Sequence, residues 1–347
     1  MQNYFYIGKN KVGKDSPCYV VAEIGSNHNQ DFDTALKLID AAKKAGVNAV
    51  KVQTFRASDH YSKKSPKFDY LKGQNTYELI KSLELDRSWQ AKLKKHCEDQ
   101  RIDFFSSPCD FDAVDGLEKI NTLAYKLASF DLTDLTLLDY IAKTNKPVIF
   151  STGMANFDEI ERSVNVCKNV GNTKLAILQC TSLYPAPAKL SNLLAMNVLQ
   201  EKYGCVVGYS DHTLGHHIVL ASIAMNAKIV EKHFTLDRDQ KGPDHKFAST
   251  PNEFSVMIDQ IREIESAIGD GKKLGPWEEE KDMFLKGRRS IHAKKNIEKN
   301  GKLSYENLCC KRPGLGIEPY RISELIGKTV KVDIEEDQWI TWDLLEK

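Results

Sequence analysis

Short apolar runs alternate along the chain with longer segments in which apolar residues recur at helical spacing. Each run is of strand length and fairly apolar at its start, which is typical of parallel strands covered on both faces. The eight runs are Cys18–Gly25, Ala49–Phe55, Ile102–Pro108, Ala124–Phe130, Pro147–Gly153, Leu175–Thr181, Val206–His212 and Lys228–Phe234. Eight strand-then-helix units in succession predict an α/β fold, a (β/α)8 TIM barrel rather than an open sheet.

Two of the segments between the runs carry clear helix signals. Phe32–Ala45 has apolar residues on one side and is followed by Gly46, so a helix should end there. The last helix has the clearest start, because Thr250 can cap it and Pro251 suits its first position. Its apolar residues then repeat at helical spacing as far as Ile268. We therefore expect residues 1–268 to form the barrel domain.

Composition changes after residue 268. Three glycines, Pro276 and a stretch rich in Glu and Lys follow, which predicts an exposed linker over 269–288. Residues 289–347 contain short apolar runs separated by turn residues, and predict a small β-rich domain. So small a domain buries little surface, and we expect it to dock on something.

Charge and hydropathy exclude several classes of function. The chain has 347 residues, with 49 Lys and Arg against 48 Asp and Glu, so nucleic-acid binding has no whole-protein electrostatic driving force. No apolar run approaches the ~20 residues of a membrane span, and Met1–Val12 does not resemble a signal peptide. We expect a cytoplasmic protein. The eight cysteines include no CxxC pair and should be buried and reduced, with Cys109 the least certain.

Polar side chains collect at the ends of all eight predicted strands. In a barrel of this kind the carboxyl ends of the strands form the mouth, where ligands bind. These polar residues are Glu23, Lys51, Gln53, Ser106, Ser107, Lys126, Ser129, Asp131, Ser151, Thr152, Thr181, Ser182, Ser210, His212, Glu231 and His233. The pattern predicts one shared ligand site.

Two histidines end the last two predicted strands, which are neighbours in a barrel. His212 and His233 could be ordinary buried histidines, or they could hold a divalent metal together with oxygen ligands. Two imidazoles alone bind weakly, so Mn²⁺, Mg²⁺ or Co²⁺ would suit the site better than an enclosed Zn²⁺.

Two lysines approach the same mouth. Lys51 and Lys126 can act as point charges for an anion, with nearby hydroxyls as donors. Those hydroxyls belong to Ser129, Ser151 and Ser210. Ion pairs of the lysines with Glu23 or Asp131 are an alternative that is compatible with anion binding.

In their order along the chain, these residues form motifs that resemble those of the sialic acid synthase (N-acetylneuraminate synthase-like) family. Each motif alone is weak, but the ordered set is specific and covers nearly the whole chain. The motifs are Ala22-Glu23-Ile24-Gly25, Val50-Lys51-Val52-Gln53-Thr54, Tyr125-Lys126-Leu127-Ala128-Ser129, Ser151-Thr152-Gly153-Met154, Gln179-Cys180-Thr181-Ser182, Tyr184-Pro185, Gly208-Tyr209-Ser210-Asp211-His212-Thr213, Glu231-Lys232-His233-Phe234 and Gly242-Pro243-Asp244-His245. The last domain, with Lys311-Arg312-Pro313-Gly314, resembles the family's antifreeze-like (SAF) module.

The resemblance implies a synthase that joins phosphoenolpyruvate (PEP) to an N-acetylated amino sugar, forming a sialic-acid-type nonulosonate and releasing phosphate. It implies that PEP contacts Lys51, Ser107, Lys126, Ser129, Ser151, Ser182 and Ser210, and that the acceptor sugar contacts Glu23, Gln53, Tyr184, Asp244 and Arg312. It also implies a divalent metal, Mn²⁺ first, on His212 and His233. The family forms domain-swapped homodimers, in which Arg312 would reach the site of the partner chain.

The reaction suggests roles for the charged groups. In our hypothesis the metal polarises the sugar aldehyde, PEP C3 attacks it, water adds at C2 and phosphate leaves by C–O cleavage. Lys51 and Lys126 would be the catalytic cations, and Glu23 and Asp131 are candidates for proton transfer. The sequence does not assign which carboxylate takes which proton.

Departures from the family pattern leave the sugar open among neuraminate, legionaminate and pseudaminate types. Ser107, Ser182 and Asp131 stand where other members have Thr, Asn and Glu. Phe130 replaces a glycine common in neuraminate synthases. The segment Lys126–Asp131 looks more like the spore-coat and pseudaminate branches.

Three alternatives follow from the same residues. A Schiff-base sialic acid lyase would use Lys126 or Lys232 as its nucleophile and would not need metal. A sugar-phosphate 3-deoxy acid synthase would need a second phosphate site. A non-catalytic sugar- or surface-binding protein would leave the polar residues of the barrel mouth free to vary.

Overall fold

The computed structural model describes residues 1–67 and 75–346. Eight parallel strands close into a barrel, with each strand hydrogen-bonded to the next along the chain and β10 paired to β3. The barrel strands are β3 Tyr19–Gly25, β4 Ala49–Thr54, β5 Asp103–Pro108, β6 Tyr125–Leu127, β7 Val148–Ser151, β8 Leu175–Cys180, β9 Val206–Asp211 and β10 Ile229–His233. The predicted TIM barrel is confirmed, and each of the eight apolar runs contains one strand.

The fourth run differs from its prediction. It was expected to be a strand as far as Phe130, but β6 ends at Leu127 and Ser129–Asp131 form a single 3₁₀ turn. In this turn the Asp131 amide donates a hydrogen bond to the Ala128 carbonyl (3.0 Å). The short turn changes the direction of the chain and brings Asp131 back over the barrel mouth instead of continuing away from it.

Helices lie between the strands and after them. They are α1 Phe32–Ala45, α2 Ala57–His60, α3 Thr76–Ser82, α4 Gln90–Gln100, α5 Phe111–Lys119, α6 Leu135–Lys143, α7 Phe157–Asn169, α8 Leu194–Tyr203, α9 His217–Ala224, α10 Pro251–Ile268, α11 Lys281–Gly287 and α12 Ile322–Leu325. The two helices with clear sequence signals have their predicted bounds. Gly46 ends α1 with φ 90°, and Thr250 and Glu253 form a capping box at the start of α10.

The alternation of side chains along the strands separates the core from the site. In β4, for example, Val50 and Val52 belong to the core shared with the helices, whereas Ala49 belongs to the core inside the barrel. Side chains two residues apart share a face, so Lys51 and Gln53 point inward with Ala49. The barrel interior is therefore apolar where the strands begin and polar where they end.

A hairpin at the start of the chain was not predicted. Strand β1 (Tyr4–Ile7) pairs antiparallel with β2 (Asn10–Gly13). The buried side chains of Phe5, Ile7 and Val12 pack against the inward residues at the beginnings of the barrel strands. The hairpin therefore covers the end of the barrel opposite the polar mouth.

The chain divides into two compact units, Met1–Gly269 and Asp270–Lys347. In the second unit β11 (Ser290–Ala293) pairs antiparallel with β12 (Leu308–Lys311), and isolated β-bridges such as Ile297 with Ile334 extend the pairing. The core of this unit is aliphatic and includes Ile291, Leu303, Val330 and Ile340. Among the residues described, no helix combines the length and the apolar character needed to cross a membrane.

Candidate active site

Lys51 lies inside the barrel at its polar end and is almost completely buried. Its ammonium group forms an ion pair with Glu23, donates a hydrogen bond to Ser107 Oγ (3.1 Å) and lies 3.9 Å from Glu231 Oε1. Burial opposes the charged form, but the carboxylates of Glu23 and Glu231 outweigh it and raise the pKa of Lys51. Lys51 is therefore a fixed cation.

Lys126 is a second buried cation on the same inner surface. Its ammonium group donates to the Leu127 carbonyl (3.2 Å) and lies 3.7 Å from Glu231 Oε1. Burial, partly offset by Glu231, lowers the pKa of Lys126. Lys126 has fewer partners than Lys51, and the two adjacent ammonium groups can attract an anion.

Glu231 is the carboxylate that lies near both lysines, and the sequence placed it in the shared ligand site without an individual role. It lies within 4 Å of both ammonium groups and accepts a long hydrogen bond from Ser210 Oγ (3.4 Å). Its position two residues before His233 was the available signal, because residues two apart on a strand share a face.

Hydroxyl groups gather around Gly153, beside the lysines. Ser129 Oγ accepts a hydrogen bond from the Gly153 amide (3.0 Å), and Ser182 Oγ occupies the space that a side chain at position 153 would need. Within the described chain, the buried oxygens Ser151 Oγ and Ser182 Oγ have no hydrogen-bond partner. Buried hydroxyls normally find partners, so these two are available for a bound ligand.

A second polar cluster surrounds Gly25, which has φ 45°. Gln53 donates a hydrogen bond to Glu23 (2.9 Å), and a Cβ at Gly25 would lie 2.9 Å from Glu23 Oε1 and 3.3 Å from Asp244 Oδ2. Burial and the nearby Glu23 carboxylate raise the pKa of Asp244 to about 7. The cluster combines donors and acceptors, as recognition of sugar hydroxyl and amide groups requires.

The two histidines predicted to bind metal lie side by side, with ring centroids 5.5 Å apart. His212 Nδ1 is 2.8 Å from the Thr181 carbonyl, which can only accept, so Nδ1 carries the proton and, in the neutral imidazole, Nε2 keeps a lone pair. Burial and the surrounding cations lower the pKa of His233 well below its usual value, so that this imidazole is neutral.

These properties fit a metal ligand pair. His233 Nδ1 is buried and has no hydrogen-bond partner in the described chain, and Asp244 Oδ2 lies 3.6 Å from it. Tyr184 packs against His212 with a centroid separation of 4.3 Å, and Phe247 packs against His233 at 4.9 Å. The aromatic rings hold both imidazoles in place.

Asp131 lies on the other side of the mouth with two neighbours that the sequence did not predict as site residues. His60 Nδ1 is 3.8 Å from Asp131 Oδ1, and Cys109 Sγ is 3.8 Å from Asp131 Oδ2. Burial raises the pKa of Asp131, although His60 and Lys126 oppose the shift. A shifted carboxyl group at the mouth is suited to proton transfer.

Two more side chains named from the sequence are Lys232 and Arg312. Lys232, an alternative nucleophile, points out of the barrel, where its ammonium group forms a buried ion pair with Asp211 (2.5 Å) and donates to the Thr213 carbonyl (2.7 Å). Of the two lysines that the lyase alternative named, Lys232 therefore does not face the barrel mouth. Arg312 belongs to the second unit, is exposed, and donates to the Gly287 carbonyl (2.6 Å).

Comparison with known proteins places the chain among relatives that match it over most of its length. Residues 38–273 match the NeuB family, and residues 288–346 match the SAF domain. The N,N'-diacetyllegionaminic acid synthase of Campylobacter jejuni is 41% identical over 92% of this chain and 98% of its own. The pseudaminic acid synthase of the same species is 36% identical over 92% of this chain and 94% of its own.

A solved structure agrees with these matches. The N-acetylneuraminic acid synthetase from Leptospira borgpetersenii, in complex with citrate, is 32% identical. It superposes with a TM-score of 0.73 over 81% of this chain and 95% of its own. The chain therefore belongs to the NeuB family and ends in a SAF domain.

Proposed function

We propose that this enzyme condenses PEP with an N-acetylated amino sugar to form a nonulosonic acid and inorganic phosphate. The observation that carries the proposal is the pair of buried ammonium groups, Lys51 and Lys126, beside the unpartnered hydroxyls of Ser151 and Ser182. PEP has a carboxylate and a phosphate, and such groups need fixed cations and hydroxyl donors.

The anion and acceptor sites are adjacent, so a reaction between their ligands is possible. Glu23 joins them, because it forms an ion pair with Lys51 on one side and accepts a hydrogen bond from Gln53 on the other. The acceptor sugar would contact Glu23, Gln53, Asp244 and the ring of Tyr184. Holding the two reactants in fixed positions would supply much of the rate enhancement.

His212 and His233 would hold a divalent metal, Mn²⁺ first, and this metal would polarise the sugar aldehyde. The remaining chemistry needs groups of the chain. The new bond joins PEP C3 to the aldehyde carbon, a water adds at C2, and the C–O bond to phosphate breaks. Glu23 and Asp131 are proposed to move the protons, and Lys51 and Lys126 to stabilise the phosphate as it leaves.

The experiment is phosphate release from PEP with Mn²⁺ or EDTA and a panel of acceptors. The panel contains N-acetylmannosamine, 2,4-diacetamido-trideoxymannose and 2,4-diacetamido-trideoxyaltrose, and mass spectrometry identifies the product. We expect metal-dependent release with one sugar. Because the legionaminic acid synthase is the more similar of the two Campylobacter relatives, we expect that sugar to be the trideoxymannose.

Two results would oppose the proposal. One is no release with any sugar from protein that unfolds cooperatively. The other is a covalent adduct trapped by borohydride with pyruvate, which would indicate a Schiff-base lyase. If such an adduct formed on the inner cation, Lys126→Met should abolish it, whereas Lys95→Met, which changes an exposed lysine of α4, should not.

We also propose that the active unit is a domain-swapped homodimer in which Arg312 contacts the acceptor in the site of the other copy. Complementation tests this point. Lys51→Ala and Arg312→Ala should each be inactive alone, and co-expressed chains should recover about a quarter to a half of the wild-type activity. Lack of recovery in isolated mixed dimers would contradict the swap.

A further inference from the structure

Three side chains that could bind metal meet at the barrel mouth, away from the histidine pair. One ligand atom each from His60, Cys109 and Asp131 can be chosen so that all lie within 4.8 Å of one another. Asp131 Oδ1 lies 3.8 Å from His60 Nδ1, and the other oxygen, Oδ2, lies 3.8 Å from Cys109 Sγ. We propose that His60, Cys109 and Asp131 form a second metal site, selective for Zn²⁺ or Co²⁺.

The spacing is close to that of a tetrahedral site. With Zn–N and Zn–O bonds of about 2.0–2.2 Å and Zn–S of about 2.3 Å, neighbouring ligand atoms lie roughly 3.3–3.8 Å apart. Both separations from Asp131 already reach the upper end of this range. To close the site around an ion, the carboxylate of Asp131 would rotate so that one oxygen faces both His60 Nδ1 and Cys109 Sγ.

The backbone presents the three residues from successive parts of the barrel. His60 ends α2 after β4, Cys109 directly follows β5, and Asp131 lies in the turn after β6. The Cys109 amide donates to the Thr54 carbonyl (3.1 Å), and the His60 ring packs on Tyr61 at a centroid separation of 4.8 Å. These contacts fix the positions from which the ligands converge.

The donor set determines which metal is preferred. A thiolate with an imidazole and one carboxylate favours Zn²⁺ or Co²⁺, whereas Mn²⁺ and Mg²⁺ prefer oxygen ligands. Three protein ligands leave a fourth position for water, and binding releases the thiol proton of Cys109. The site is separate from His212 and His233, because β9 and β10 lie across the ring of strands from β5.

If the proposed function holds, metal in this site would also change catalysis. An ion held by Asp131 occupies the carboxylate that we assign to proton transfer. Zn²⁺ should therefore inhibit turnover even when Mn²⁺ is saturating. The inhibition would act through Asp131 and would not require loss of the histidine-bound metal.

Cobalt spectroscopy tests the binding without any assay of activity. Protein stripped with chelator and titrated with Co²⁺ should develop a thiolate-to-cobalt charge-transfer band in the near ultraviolet. Cys109→Ser should abolish the band, and His60→Gln should weaken Co²⁺ binding at least about tenfold. The band should survive in His212→Ala/His233→Ala and in Cys180→Ser, the control for the thiol 3.8 Å from His212.

The outcomes distinguish this proposal from the proposed function. Absence of a thiolate band in the wild type, or a band lost in Cys180→Ser but kept in Cys109→Ser, overturns the second site whatever the enzyme does. Thermal unfolding checks that each variant is folded. In the activity arm, Cys109→Ser should need about tenfold more Zn²⁺ for half-inhibition at saturating Mn²⁺; equal sensitivity would remove the inhibitory role.

Discussion

The hydroxyl group of Ser182 fills the space beside Gly153 that any other residue would occupy with its Cβ. Ser129 Oγ lies on the same side, 2.9 Å from the position of that Cβ. Gly153 is therefore required for the close approach of both hydroxyls to this position, and its amide donates to one of them, Ser129 Oγ. The requirement is spatial, because no left-handed backbone conformation is involved.

Gly153→Ala should damage anion binding while leaving the barrel folded. The new methyl group must displace Ser182, and a displaced hydrogen bond to a charged ligand is worth about 1.5–3 kcal/mol. We expect kcat/KM for PEP to fall about 10- to 100-fold in a phosphate-release assay. Gly116→Ala is the control, since a Cβ there meets only Gln90 Oε1 at 3.7 Å. Wild-type kinetics for Gly153→Ala would contradict the packing argument.

Ser151→Ala and Ser182→Ala should separate activity from stability. Neither hydroxyl oxygen has a hydrogen-bond partner in the described chain, so its removal should leave the Tm unchanged or slightly higher. The KM for PEP should rise about 10-fold or more in each variant. Initial rates and thermal unfolding measure the two effects.

Ser163→Ala is the control, for which we expect the opposite result: lower stability and unchanged activity. Its buried hydroxyl donates to the carbonyls of Leu132 (2.9 Å) and Glu159 (3.1 Å), so its loss should cost about 1 kcal/mol of stability. Neither partner is a residue that we assign to PEP, so the KM for PEP should be unchanged. A lower Tm for Ser182→Ala than for Ser163→Ala would show that Ser182 has a structural role instead.

Glu231→Gln should destabilise the free enzyme and increase the stabilisation that PEP provides. The substitution leaves two buried ammonium groups with less compensating charge, and breaking such an arrangement costs about 3–5 kcal/mol. Urea unfolding without PEP measures the stability of the free enzyme, and unfolding with PEP measures the stabilisation that the ligand provides. Glu161→Gln, which breaks an exposed pair with Lys202, should change stability by less than about 1 kcal/mol. An unchanged free energy of unfolding would mean that Glu231 does not balance the lysines.

The carboxyl group of Asp244 should make the stability of the metal-free enzyme depend on pH. Its pKa of about 7 lies above the ordinary value of 3.8, so between these pH values the folded chain binds more protons than the unfolded chain. Stability therefore falls as pH rises from about 4 through about 7. Asp244→Asn should remove this contribution, which is at most about 4 kcal/mol.

The measurement is urea unfolding of both proteins in EDTA at pH 5 and pH 8. Asp244→Asn should gain stability relative to the wild type at the higher pH. Asp259→Asn, an exposed position on α10, serves as the control. A difference between Asp244→Asn and wild type that is the same at both pH values would contradict the shifted pKa.

The barrel could be predicted from the sequence because its signals are local. Apolar runs marked the strands, and the caps at Gly46 and Thr250 marked two helix ends. The first hairpin was missed because its strands are only four residues long. The apolar residues in it are explained only by their packing, as Phe5 packs against the barrel interior. Such a contact joins residues that are distant in sequence, and no spacing rule indicates it.

The site was predicted to the extent that residues at strand ends converge in any barrel of this type. Individual partners were not predictable. Glu231 follows from strand periodicity, but its position between two lysines depends on the closure of β10 against β3. His60 comes from a short helix after β4, and only the turn at Ser129–Asp131 brings Asp131 towards it.

The hairpin of β1 and β2 closes one end of the barrel, and this affects the order in which ligands bind and leave. Ligands that reach Lys51 must therefore enter and leave through the open polar mouth. Gln53 lies two residues further along β4, nearer the mouth, so an acceptor bound to Gln53 would block the route of an anion to and from Lys51. If the proposed function holds, we therefore expect ordered kinetics in which PEP binds before the acceptor and phosphate leaves after the new product has moved away from Gln53.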